Sequence, residues 1–148
     1  MLGMEIAILS DQGGRSYNED ACGHWHSDRH LCCVLADGAG GHGGGDVASR
    51  LAVQTLLDAF ADHPTSDGES LSQLVWQTNE TVLGQRASDK RLRDMHTTVV
   101  CLVIDFVDRM AHWSHVGDSR LYWFRQGRLR DRTLDHSLVQ SLINAGVL

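Results

Sequence analysis

Short apolar stretches punctuated by glycine and polar turns dominate this chain, and longer helical periodicity occurs in the middle. Glu5–Leu9, Ala21–Trp25 and His30–Asp37 read as strands, with a turn over Asp11–Gly14 and a hairpin around Ser27 and Asp28. Gly38 to Gly45 holds six glycines in eight positions and predicts a loop. Beyond it Val47, Leu51, Leu57 and Phe60 recur at helical spacing, so a helix should open near Asp46 and run to about Asp62. Ser70 and Gln73 have the form of a capping box for a second helix reaching about Arg86. Ser88–Met95 is polar and reads as a loop. His96–Asp105 is the strongest strand signal, followed by strands at Met110–Val116 and Leu121–Phe124 and a turn at Gln126-Gly127. A last helix is expected over Ser137–Ala145, stopped by Gly146. Strands that hairpin onto one another, with two consecutive central helices, favour antiparallel sheets with helices layered outside.

Composition narrows the classes. The 148 residues fit one domain, and a net charge of −6 argues against nucleic acid as the main partner. No apolar stretch approaches a membrane span and no signal peptide is visible, which predicts a cytoplasmic protein with no membrane partner. Cys22, Cys32, Cys33 and Cys101 form no CxxC pair and read as reduced, mostly buried thiols, with Cys32 and Cys33 on opposite faces of a strand. Nine histidines occur without an HExxH motif.

The chemistry concentrates in two clusters. Arg15 precedes the carboxylates Glu19 and Asp20, and Asp37 follows the apolar run Leu31–Ala36 just before the glycines. A lone Glu-Asp pair is most simply a solvated turn, and a lone Asp a cap. Asp37, however, is carried by burial to a strand end, where a cation would relieve its charge. Carboxylates beside bare backbone suit hard divalent cations, and arginine offers a planar donor fork for phosphate. Together they point to phosphate-ester hydrolysis. The glycine run is neither GxGxxG nor GxxxxGK[ST], which argues against a nucleotide loop. Gly117-Asp118-Ser119-Arg120 would by itself be a tight turn, and Asp135-His136-Ser137 a helix cap. Ser119 and Ser137 lack the strained strand-to-helix turn of a hydrolase nucleophile.

In order, Arg15-x-x-Asn18-Glu19-Asp20, Asp37-Gly38-x-Gly40-Gly41-His42, Thr97-Thr98, Gly117-Asp118-Ser119-Arg120 and Asp135-His136-Ser137 resemble the metal-dependent serine/threonine protein phosphatases of the type 2C class, in their bacterial form. The resemblance runs from about residue 5 to the end. It implies an α+β fold of two packed antiparallel sheets flanked by helices, an α-β-β-α sandwich, with residues 1–148 as the N-terminal portion of a single domain cut short at the C-terminus. It implies two Mn²⁺ or Mg²⁺ ions, with a third in the complete domain, and hydrolysis of phosphoserine or phosphothreonine by a metal-held hydroxide. By position Asp37 would bridge the metals, the Gly38 carbonyl, Glu19 and Asp20 would complete the shell, Asp118 would serve the third ion, and Arg15 would grip the phosphate. The implied partner is a phosphorylated protein, the target of a serine/threonine kinase.

Two departures from the family pattern shape the expectation. Ala39 stands where animal members place a histidine, so a water or another group must protonate the leaving oxygen. No Asp follows Asp135, so two later metal-binding aspartates of the family have no counterpart here. The chain as it stands is therefore expected to be a weak catalyst that can self-associate through uncovered surface. The alternative is a phosphatase-like domain acting as a binding or regulatory module.

Overall fold

The computed structural model describes residues 3–40 and 44–147. Strands β1 (Asp20–His26) and β2 (His30–Ala39) form a hairpin, and helices α1 (Gly44–Asp62) and α2 (Gly68–Ser88) follow. A single 3₁₀ turn, Lys90–Leu92, leads into the two-residue β3 (His96–Thr97), then β4 (Val99–Asp105) and β5 (Met110–Val116). The hairpin β6 (Tyr122–Arg125) and β7 (Arg128–Arg132) and the short helix α3 (Leu138–Asn144) close the order. All pairings are antiparallel. One sheet runs β1-β2-β4-β5, with β3 joined to β2, and β6-β7 makes a second, two-stranded sheet.

Alternation along the strands decides which side is core. Cys32, Val34 and Ala36 of β2 and Cys101 and Val103 of β4 are buried, and they meet Ala48, Ala52, Leu56 and Phe60, one face of α1 at four-residue spacing. Leu71 and Val82 bring α2 into the same core. Gly23 keeps β1 close to α1, because a Cβ there would lie 3.3 Å from Val53 and closer still to Leu57. The opposite face of the sheet, including Leu35 and Trp113, is exposed.

A polar hub ties the far end. Asp105 is fully buried and accepts from Arg29 Nη2 (2.9 Å), Ser66 Oγ (3.0 Å) and the backbone N–H groups of Val107 and Asp108 (both 2.9 Å). These bonds join both sheet hairpins to the α1–α2 connection and hold the Asp105 carboxyl well below the usual range, against the cost of its burial.

The α+β architecture with antiparallel sheets and outer helices is as the pattern foretold. Several local expectations are corrected. Glu5–Leu9 is exposed and joins no ladder, because apolar residues make a strand only where a neighbouring backbone accepts their hydrogen bonds. The glycine run is not all loop: Gly38 lies in β2, and Gly44 and Gly45 open α1, while Gly41, His42 and Gly43 lie outside the described residues. The cap of α2 is Asp67, whose carboxylate accepts from Ser70 N–H, so Ser70 lies in the first turn. Thr98 breaks the expected strand His96–Asp105 into two. Ser88–Met95 contains the 3₁₀ turn. Among the four thiols, Cys32 and Cys101 are buried with sulfurs 3.8 Å apart, Cys33 is half-buried and Cys22 exposed. The Gln126-Gly127 turn has φ of 52° and 71°, as a two-residue hairpin turn demands.

Candidate metal and phosphate site

The β1–β2 register sets Asp20 directly opposite Asp37. Both side chains lie on the sheet face away from the helices, since their neighbours Ala21 and Ala36 point toward the core. They border a cleft of about 590 Å³ whose walls include Arg15, Asn18, Glu19, Gly38, His96, Thr98 and Asp118. Burial raises the Asp37 carboxyl from its ordinary value; the charge of Asp20 and contact with its carboxyl, and the charge of Asp118, add to this, and Arg15 opposes it. Negative charge thus accumulates along this cleft, with the Arg15 guanidinium as an opposing charge.

Glu19, just before β1, lines the same cleft and reaches toward the start of α1, where a Cβ on Gly45 would lie 2.8 Å from its Cδ. Its backbone carbonyl accepts from Gly38 N–H (3.1 Å) and Ser49 Oγ (2.6 Å), which pins it between β2 and α1. Its Oε1 is the one buried side-chain oxygen without a hydrogen-bond partner among the described residues. The two chains cross closely here. A Cβ on Gly38 would lie 2.5 Å from Gly45 C and 2.8 Å from Glu19 O. Arg15 is exposed in the turn after Gly13 (φ 59°), its N–H bonded to Gln12 O at 3.2 Å, and it makes no ion pair with a described residue.

Asp118 arrives from the loop after β5. Gly117 (φ 100°) rests on Thr98, and its carbonyl accepts from His136 N–H at 2.9 Å. Beside it Arg120 grips Asp135 through two 2.8 Å bonds, so this pair serves loop structure. The motif residues far apart in sequence therefore frame one cleft, although no three His, Cys, Asp or Glu side chains converge on a single point among the described residues.

Residues 11–140 match the protein phosphatase 2C family. The chain belongs to that family. It is 35% identical over 151 residues to protein phosphatase PhpP of Streptococcus pneumoniae, covering 98% of this chain and 60% of that protein. It is 33% identical to the serine/threonine phosphatase stp of Listeria monocytogenes, covering 97% and 59%. Among solved structures it superposes on the Streptococcus agalactiae serine/threonine phosphatase with a TM-score of 0.82 at 32% identity, covering 97% of this chain and 61% of that one. The catalytic domain of Mycobacterium tuberculosis PstP in complex with two manganese ions gives 0.76 at 34%, covering 95% and 59%. The chain spans about 60% of the length of these relatives.

Within this protein phosphatase 2C framework the structure adds one cleft residue and one supporting residue that the sequence did not single out. His96 lies opposite Ala39 on the neighbouring strand, and its Nδ1 donates to Asp94 O at 2.9 Å. Ser49, buried on α1, fixes Glu19. Neither belongs to a motif. Cross-strand register is the information that would have found His96, and register is not written in a single strand.

Proposed function

We propose that this chain carries the metal- and phosphate-facing side of a protein-serine/threonine phosphatase domain. The observation that carries the reading is the cross-strand pair Asp20–Asp37, joined by Asp118, with the buried Glu19 Oε1 left without a donor. Excess negative charge and an orphaned oxygen fit a divalent cation. Asp37, the Gly38 carbonyl, Glu19, Asp20 and Asp118 are the groups that would hold Mn²⁺ or Mg²⁺. Such ions, when bound, offset this charge and polarise the phosphoryl oxygens.

The other roles fall to the chain itself. Arg15 clamps the phosphate and stabilises charge on its equatorial oxygens. His96, its Nδ1 proton committed to Asp94 O, protonates the leaving serine or threonine oxygen from Nε2 only as the imidazolium, giving up the Nε2 proton and returning to the neutral Nδ1–H form. The substrate is a cytoplasmic phosphoprotein made by a serine/threonine kinase. Residues 1–148 form one portion of a single domain, and the exposed outer sheet face offers a surface for self-association.

The test is Mn²⁺ binding, followed by calorimetry or spin resonance, together with phosphate release from a phosphothreonine peptide. Wild type should bind and release phosphate slowly, and Asp37→Asn should do neither. Equal Mn²⁺ binding by both would overturn the reading. Among the described residues no three His, Cys, Asp or Glu side chains converge on one point, which favours a second reading, a binding or regulatory module. That reading expects phosphopeptide binding without turnover.

A further inference from the structure

Thr98 occupies the gap between β3 and β4, where the regular ladder on β2 is interrupted. The pairs Gly38–Thr97 and Leu35–Val100 bracket it in one continuous register, so Thr98 stands opposite Asp37. Thr98 N–H donates to Asp37 O at 2.9 Å, as in a regular antiparallel pair. The return bond is different: Asp37 N–H donates to the Thr98 hydroxyl at 3.0 Å, where a regular strand would offer the carbonyl. Thr97 Oγ1 shares its single proton between Asp37 O (3.1 Å) and Thr98 O (2.9 Å), closing the local network.

The same hydroxyl reaches the second carboxylate-bearing segment. Thr98 Oγ1 lies 2.6 Å from Ser119 Oγ, the residue after Asp118. A hydroxyl has one proton and two lone pairs, so it can accept from Asp37 and share a hydrogen bond with Ser119 at once. Its methyl side is engaged as well. A Cβ on Gly117 would lie 2.7 Å from Thr98 Cγ2, which shows how closely the loop backbone rests on this side chain.

From this geometry we infer that Thr98 is a positioning residue that sets the separation of Asp37 and Asp118. One hydroxyl ties the backbone of the first to the loop of the second, and one methyl seats that loop. Two carboxylates that repel each other need such a tether to remain at the spacing a cation requires. The inference rests on the reading of this cleft as a divalent-cation site.

Thr98→Val keeps both branches of the side chain, and so the seat for Gly117, while removing the hydroxyl. It should weaken Mn²⁺ affinity by about tenfold or more, the scale found when groups that orient metal ligands are lost. Thr98→Ser restores the hydroxyl and should bind within about threefold of wild type. Ser119→Ala leaves the Asp37 N–H satisfied, so it should retain the wild-type melting temperature yet lose affinity. Mn²⁺ titration followed by spin resonance, with melting curves and the amide-exchange rate of Asp37 in metal-free protein, reads all three variants. Faster Asp37 exchange in Thr98→Val, with weaker binding in both Thr98→Val and Ser119→Ala, supports the tether. Wild-type affinity in Thr98→Val or in Ser119→Ala overturns it, even where Asp37→Asn abolishes binding. Failure of wild type itself to bind Mn²⁺ overturns the cation-site reading and the tether together.

Discussion

Gly38→Ala is the most severe single-methyl change that the site offers. The added carbon would lie 2.5 Å from Gly45 C and 2.8 Å from Glu19 O, and closer still to Gly45 O. Ordinary contact begins near 3.4 Å, so backbone on one side must retreat by about 1.5 Å, set by the Gly45 O contact. Every atom met is main chain, and no side-chain rotation relieves it. Overpacking of this kind costs about 1–3 kcal/mol, and the upper end applies where only backbone can move. Gly84→Ala supplies the matched opposite. Gly84 sits inside α2, and a methyl there meets nothing within 4 Å. Replacing a helical glycine by alanine stabilises by about 0.5–1 kcal/mol. Thermal and urea melts of the two variants should therefore move in opposite directions from wild type. Mn²⁺ titration should show Gly38→Ala impaired, because the retreat displaces Glu19 or α1, while Gly84→Ala binds as wild type does. A Gly38→Ala protein melting at or above the wild-type temperature would falsify the close-crossing account.

Arg15→Ala should leave Mn²⁺ binding and melting intact while weakening turnover of a phosphate ester by about 2–4 kcal/mol; wild-type turnover with a sharply lowered melting temperature would make Arg15 structural. His96→Ala should slow release of phosphate from a phosphothreonine peptide more than hydrolysis of p-nitrophenyl phosphate, whose leaving group needs no proton; equal slowing would remove His96 from proton transfer. Asp67, the cap of α2, is held down to about 2 by hydrogen bonds from Ser70 and Thr65. A depressed carboxylate stabilises the fold above its unfolded value and loses that contribution as pH falls through the folded one. Asp67→Ala should therefore melt below wild type at neutral pH, with the gap narrowing as pH falls from 3.8 toward about 2; a gap independent of pH would show that the carboxylate charge is irrelevant to the cap.

Elements with their own local signal were legible in the sequence. The α1 stripe, the β4 run and the Gln126-Gly127 turn each state their structure within a few residues. Glu5–Leu9 was not, because an apolar stretch cannot say whether a partner strand lies beside it. The two ends of the glycine run also misled. Glycine there serves close approach between β2, Glu19 and α1 rather than turn formation, and composition alone does not distinguish the two. The ordered motifs located the cleft, since Arg15, Asp20, Asp37 and Asp118 line it together. What lay hidden was the cross-strand geometry: Asp20 against Asp37, His96 against Ala39, and Thr98 in place of a ladder bond. Such pairings belong to register, which long-range packing decides.

The alternation of β2 also separates two kinds of genetic change. Cys32, Val34, Ala36 and Gly38 build the core on one side, while Cys33, Leu35 and Asp37 face away on the other. Substitutions on the outward track can alter the chemistry of the cleft with little disturbance to the helices beneath. Loss or gain of one codon in this strand acts quite differently, because it exchanges the two tracks. Asp37 would then be driven against α1, and an alanine or a glycine would stand where the charge is needed. This segment should thus accept a wide range of missense change on one face, yet tolerate almost no single-residue insertion or deletion.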